Sequence, residues 1–306
     1  MADDPGSAGG GDDSEGDLRS GELDLLKSGN FADVDIVCGD RTWKCHRAIL
    51  VPRSAWFQKA LSGPFEEAST RQIKLDEENP DSVDLALKYI YSRGLEVESS
   101  IAPNNFVEQC VCLWHLADFL LLGPLKPLVE KAVHSYCDKR MKQFCTFGVA
   151  SDWMSTATTG ELTPWALDLI SGVRQSYKWN AEHLKAVLME FLWVGRFDTL
   201  RFGGASVLFH HLTDTPKFMD DFLGYYASGN WIPDRVWAVL CRKEATLQAG
   251  QQKCRRCLKH ITWSHEDRNG QIADPFELVR NTVVTTGWCR DCSKLDTIPW
   301  REENDG

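Results

Sequence analysis

The run from Phe31 to Tyr91 constrains this chain more than any other stretch. Phe31-Ala32-Asp33-Val34-Asp35-Ile36-Val37-Cys38 alternates apolar and acidic residues, the period-two pattern of a half-buried strand. Gly39-Asp40 supplies a turn, and Arg41 to Cys45 reads as the returning strand of a hairpin. His46 to Leu50 follows as a short helical turn. Ser54 is placed to cap a second helix carrying Trp56, Phe57, Ala60 and Leu61, because its hydroxyl can take an orphan amide of the first turn. Ile73-Lys74-Leu75 predicts a third short strand. Pro80-Asp81 opens a helix whose Val83, Leu87, Ile90 and Tyr91 recur at helical spacing.

The flanks divide the remaining chain. Residues 1–20 are Gly, Ser, Asp and Glu with almost nothing apolar, too little to offset chain entropy, so a disordered acidic leader is expected. Leu23, Leu25 and Leu26 predict a short helix leading into the hairpin, and Leu95-Glu96-Val97 an edge strand. Pro103-Asn104-Asn105 opens a long helix that stops at Gly123-Pro124, and Lys126-Pro127 begins another. A first domain over residues 21–142 follows. Residues 143–250 read as helical throughout, with helices opened by Thr163-Pro164 and capped by Asn180, and further apolar segments at 207–212, 218–226 and 236–240. Residues 251–306 form a Cys-rich unit with an acidic tail.

In kind and in order, several pieces of the first domain resemble the BTB (POZ) family: Phe31-Ala32-Asp33-Val34, His46-Arg47-Ala48-Ile49-Leu50, Arg53-Ser54-Ala55-Trp56-Phe57, Phe65-Glu66-Glu67, Ile73-Lys74-Leu75 and Tyr89-Ile90-Tyr91. The resemblance implies an α+β fold, a small sheet with surrounding helices; the residues after it are expected to add a mostly helical region and a small zinc-stapled unit. It also implies a protein-interaction module without a catalytic site. Arg196-Phe197-Asp198-Thr199-Leu200-Arg201 is loosely similar to a region that follows the fold in fungal-type members. Asp33 and Arg47 match the two charged positions that the family places in a pocket at its dimer interface, which implies a homodimer. Tightly dimerising members carry a long N-terminal helix and a swapped strand, where this chain has a short leucine run. Phe65 and Glu67 match the apolar-x-Glu motif by which some members dock a cullin, the scaffold of a multi-subunit ubiquitin ligase. The implied roles are an interaction adaptor, a ligase substrate receptor, or a purely structural self-associating protein.

The sharpest chemical motif lies outside that resemblance. Cys254-Arg255-Arg256-Cys257 and Cys289-Arg290-Asp291-Cys292 offer four soft thiolates, the donor set of tetrahedral zinc. A two-residue gap lets both sulfurs of a pair reach one ion from one tight turn. The spacer between the pairs exceeds the usual roughly fifteen to twenty residues and leaves room for a hairpin or a small helix. One structural zinc ion per chain is expected. The competing readings are unmetallated thiols, a redox dithiol, and replacement of a cysteine by His260 or His265. Cys38, Cys45, Cys110, Cys112, Cys137 and Cys145 lie in apolar segments and read as small buried hydrophobes.

Composition excludes several classes. A net charge of −10 opposes general nucleic-acid binding, which needs cations to displace phosphate counterions. Arg255, Arg256, Lys259, Arg290 and Lys294 make the Cys-rich unit mildly basic and keep open one alternative, a transcription-associated regulator touching nucleic acid. No apolar run reaches bilayer length and no signal segment opens the chain, so an intracellular protein, cytoplasmic or nuclear, is expected. No phosphate loop, nucleophile elbow or paired catalytic carboxylates appear, and the reading is that this is not an enzyme.

Overall fold

The structure is a computed structural model that describes residues 21–146, 162–194, 211–227, 246–247, 251–262, 269–273, 283–284 and 287–298. The expected leader and the segments 196–201, 207–210 and 236–240 lie outside the described residues, as do Cys241 and His265. Two compact units are present. The first comprises the described residues up to Ala102 together with Gln109–Glu130, the second Pro103–Glu108 together with the described residues from Lys131 onward.

The first unit is built on the predicted hairpin. Strand β1 (Val34–Cys38) pairs antiparallel with β2 (Arg41–Cys45), and Gly39 takes the left-handed backbone of the turn at φ 58°. Strand β3 (Gln72–Lys74) adds to the other side of β1 in parallel, giving the order β2-β1-β3. Val34, Ile36 and Cys38 point into the core at every second position, as the alternation requires. Residues 21–28 form helix α1, ended by Gly29 at φ 65°. Helix α2 (Arg47–Arg53) and helix α3 (Ala55–Ser62) meet at Ser54. Its hydroxyl oxygen accepts the Phe57 amide at 3.2 Å and donates to the Leu120 carbonyl at 2.7 Å, so the predicted cap also anchors a distant turn.

Helix α4 (Glu66–Thr70) precedes β3, and helix α5 (Pro80–Ser92) is capped by Asn79 with Pro80 in its first turn. Leu50, Phe57, Leu61, Ile73, Leu87, Ile90, Leu113 and Leu116 are all at most 1–2% exposed and make one apolar core. Burial on this scale, about 25 cal/mol per Å² of apolar surface, is the main force holding the unit. Arg53 ties its elements: the guanidinium pairs with Glu22 of α1 and donates to the carbonyls of Ile90 and Tyr91 at the end of α5. One expectation is corrected here. Val97–Ser100 is a helical turn, α6, and not an edge strand. The Glu96 carbonyl collects the Ser100 amide and the hydroxyls of Ser99 and Ser100, a local closure that outcompetes strand pairing.

Helices α7 (Phe106–Phe119) and α8 (Leu125–Cys145) follow, and α9 (Pro164–Lys178), α10 (Glu182–Val194) and α11 (Pro216–Ala227) belong to the second unit. Thr163 caps α9 as expected. Asn180 does not cap α10, which begins at Glu182. It stands at φ 52° just beyond α9, where the Ala181 amide reaches back to the Ser176 carbonyl at 2.9 Å and closes that helix. Within this unit Asp168 of α9, only 3% exposed, accepts the amides of Val107 and Glu108 at 2.9 Å each, a side-chain cap supplied from another helix. Burial raises the Asp168 carboxyl pKa, and those amides hold it back. Cys38, Cys45, Cys110, Cys112 and Cys137 are buried as expected, and burial pushes the Cys45 thiol up to about 12. The Cys145 side chain lies outside the described residues.

Candidate metal centre and interaction surfaces

The four cysteines predicted as ligands come together. Two-residue strands β4 (Thr246–Leu247) and β8 (Val283–Val284) pair in parallel, and the first cysteine pair lies in the turn of a hairpin between β5 (Gln251–Lys253) and β6 (His260–Thr262). Cys254 opens the turn, its amide bonded to the Lys259 carbonyl at 2.8 Å, and Leu258 takes the left-handed conformation at φ 58° that lets the chain double back. The second pair follows β9 (Gly287–Trp288), which pairs antiparallel with β7 (Ile272–Ala273). Cys289 immediately precedes the one-turn helix Arg290–Ser293, and Cys292 lies inside it. The halves are stitched by the Arg255 amide on the Gly287 carbonyl at 3.1 Å and by the Cys289 amide on the Cys254 sulfur at 3.3 Å.

All four sulfurs lie within 4.8 Å of one another, and those of Cys257 and Cys289 are 3.7 Å apart. Four thiolates about 2.3 Å from one tetrahedral ion would stand about 3.8 Å apart, so the cage has the size a zinc site needs. The electrostatics point the same way. Burial and the neighbouring thiols raise the Cys289 and Cys292 pKa values, since the cage opposes a second and third negative charge. Burial also opposes ionisation of Cys254, but the amides of Cys257, Cys289 and Arg256 outweigh it and bring that thiol to about 7. Full ionisation of such a cluster needs a compensating positive charge, which a bound cation would supply. Trp288, 1% exposed, is the apolar floor of the unit, with the Arg255 guanidinium 5.8 Å above its ring. His260 is exposed in β6, outside the four-cysteine cluster.

The other predicted residues fall on the first unit. Phe65 is 55% exposed at the entry to α4, and Glu67 is half-buried within that helix. The Phe65 ring lies against Gly63: a Cβ there would stand 2.8 Å from Phe65 Cδ2 and 2.7 Å from the Lys59 carbonyl. Gly63 therefore sets where the ring can sit, which no local pattern announced. Asp33 is exposed, and its carboxylate accepts the backbone amide of Arg47 at 2.8 Å. The Arg47 guanidinium donates instead to the Leu61 carbonyl at 2.6 Å, so the two residues meet through backbone and not through their charges. Phe31, two residues before Asp33, is 91% exposed at φ 62°.

One arrangement was not anticipated from the sequence. His46 is buried, its Nε2 2.7 Å from the Asn30 carbonyl and its Nδ1 2.8 Å from the Tyr91 hydroxyl. A carbonyl requires a donor, so Nε2 carries the hydrogen in the neutral ring and Nδ1 accepts from Tyr91. The Tyr91 oxygen in turn accepts the His46 amide at 2.9 Å, and burial raises the tyrosine's pKa. This pair locks the junction of β2 and α2 to the core.

Comparison with known proteins finds a match over one part of the chain. Residues 23–135 match the family model of the BTB/POZ domain. Kelch-like protein 41 of Mus musculus is 34% identical over 89 residues, covering 29% of this chain and 15% of that protein. BTB/POZ and MATH domain-containing protein 3 of Arabidopsis thaliana is 31% identical over 117 residues, 37% of this chain and 29% of that protein. The chain thus spans less than a third of these relatives' length. Among solved structures, the BTB domain of zebrafish PATZ1 aligns at 18% identity with a TM-score of 0.33, covering 42% of this chain and 98% of that one.

Proposed function

Residues 23–135 are a BTB/POZ domain, and from that premise we propose that the chain is a protein-interaction adaptor that docks a cullin scaffold through Phe65 and Glu67. The observation that carries this reading is the position of Phe65, a large apolar side chain more than half exposed at the start of α4, with a carboxylate two residues on. An exposed aromatic costs solvation in the free protein and returns it when a partner buries it, which is how anchor residues dominate interfaces. The chain performs no catalysis in this reading. No helix among the described residues is long and apolar enough to cross a membrane.

Self-association belongs to the same proposal. Asp33, Arg47 and the exposed Phe31 mark the face through which a second copy would pair. The four cysteines Cys254, Cys257, Cys289 and Cys292 hold one structural zinc ion, which staples strands of two and three residues too short to fold on apolar burial alone.

The test is retention of a purified cullin by wild type, Phe65→Ala and Glu67→Ala, with light scattering on the same samples. Retention by wild type that both substitutions abolish, at unchanged melting temperature, supports the adaptor reading. A folded wild type that retains no cullin ends it. A wild type that scatters as a monomer at high concentration ends the dimer. Elemental analysis of tag-free protein checks the zinc, and less than about half an equivalent removes it from the account.

A further inference from the structure

The four thiols are not equivalent toward solvent. Cys254, Cys289 and Cys292 are buried, Cys254 completely, whereas Cys257 is exposed in the β5–β6 turn. Cys257 also faces a sulfur from the other pair, Cys289, at 3.7 Å. A reagent arriving from solvent therefore meets one sulfur first, and a second sulfur stands within a small side-chain movement of it. The sulfurs of Cys254 and Cys292 also lie within 4.8 Å of that of Cys257, but both residues are buried, and the Cys254 sulfur additionally accepts the Cys289 amide.

We infer that Cys257 is an oxidant-sensitive modification site, attacked first by hydroperoxides and then closing a disulfide onto Cys289. The chemistry balances in two steps. The Cys257 thiolate attacks one oxygen of hydrogen peroxide, the O–O bond breaks, hydroxide leaves and Cys257 becomes a sulfenic acid. The Cys289 thiolate then attacks that sulfur, the S–S bond forms, the S–O bond breaks and a second hydroxide leaves. Two sulfurs have lost two electrons in all, and one peroxide has gained them.

The placement of the two residues gives the bond its consequence. Cys257 lies in the first hairpin turn and Cys289 at the end of β9, so a disulfide between them joins the same two halves that the thiol cluster joins. Oxidation would remove two of the four donors while keeping the halves covalently linked. A disulfide within one pair, such as Cys254–Cys257, would consume ligands and leave the halves unlinked. The inference rests on the zinc reading only for metal loss; the order of attack and the pairing stand on exposure and distance alone.

The experiment uses the full chain, first reduced and assayed for metal. It is then treated with sub-stoichiometric hydrogen peroxide, quenched with an alkylating agent and mapped by mass spectrometry. In parallel, the unoxidised chain is labelled with iodoacetamide. Cys257 is expected to label about tenfold faster than the other three, as its exposure dictates. At low conversion Cys257–Cys289 is expected as the dominant disulfide, with metal appearing in a chromogenic chelator in step with it. First labelling of Cys254, Cys289 or Cys292 overturns the inference, as does a dominant disulfide within either pair. A reduced chain that carries no metal but still forms Cys257–Cys289 overturns the zinc reading and supports this one. A Cys292→Ser variant that keeps the same disulfide adds support, and one that loses it at unchanged Cys257 labelling overturns the pairing.

Discussion

The sheet that carries Val34, Ile36 and Ile73 and the hairpin that carries Cys254 are held by different material. In the first, strands of three and five residues lie under helices, and Leu50, Phe57, Leu61, Leu113 and Leu116 close a shared apolar core. In the second, strands of two and three residues pair around one buried tryptophan and four sulfurs. The first unit spreads its stability over many side chains, so the loss of one costs only a part. The Cys-rich segment has few buried apolar side chains beside four converging sulfurs, so on the proposed zinc reading the loss of one sulfur should cost it far more. The comparison teaches that one chain can hold one element by many buried side chains and another by a few converging donor atoms.

The strongest way to break this contrast is to disable the sulfur cage. On the proposed zinc reading, Cys254→Ser, or prolonged chelation, should remove a contribution on the order of 10 kcal/mol by the scale of structural zinc peptides. Amide exchange should rise across 251–262 and 287–298 while Ile36, Leu50 and Leu61 stay protected. Equal loss of protection in both places would show that the cage supports the whole chain.

Core truncation should act more mildly. Leu61→Ala removes a fully buried side chain and should cost about 2–5 kcal/mol in chemical denaturation, shifting the midpoint without changing the slope. In the second unit, Gly172→Ala would place a Cβ 2.5 Å from Val107 Cγ1 and 3.2 Å from the Glu108 amide, overpacking worth about 1–3 kcal/mol. That value should exceed the effect of alanine at Gly224, which has open space around it.

Smaller still is the ion pair that ties α1 to the core. The hydrogen bond from Arg53 to Glu22 lowers the carboxyl pKa below its ordinary value of 4.5. A lowered folded-state value stabilises above the unfolded value and is lost as pH falls through the folded one. Wild type should therefore lose stability relative to Glu22→Gln below pH 4.5, and the two should differ by less than about 1 kcal/mol at neutral pH. A constant difference across that range would assign the contact to packing. Gly63→Ala, at the edge of the exposed Phe65, tests the docking surface: a Cβ there would stand 2.7 Å from the Lys59 carbonyl and 2.8 Å from Phe65 Cδ2. Relieving the backbone contact should cost about 1–3 kcal/mol, and displacing the ring should weaken cullin retention under conditions where the variant stays folded. Full retention with a displaced ring would detach Phe65 from docking.

The local grammar of the chain was legible. Alternation set β1, Gly39 its turn, Ser54 and Thr163 their caps, and the two Cys-x-x-Cys pairs named the four sulfurs that converge. These features depend on neighbours in sequence, whose geometry covalent spacing already restricts. Asn180 and the stretch after Leu95 were misread because a residue that caps also terminates, and a serine-rich turn competes with a strand on nearly equal terms. What only the tertiary structure decided were contacts between residues far apart in the chain. Asp168 reaches the amides of Val107 and Glu108, Asp33 meets Arg47 through backbone rather than charge, and Cys257 is the one exposed sulfur of its four. Sequence spacing limits which groups can share a turn. Which groups share a buried space is set by how whole elements pack, and the interactions that choose the packing act between atoms whose separation along the chain carries no signal.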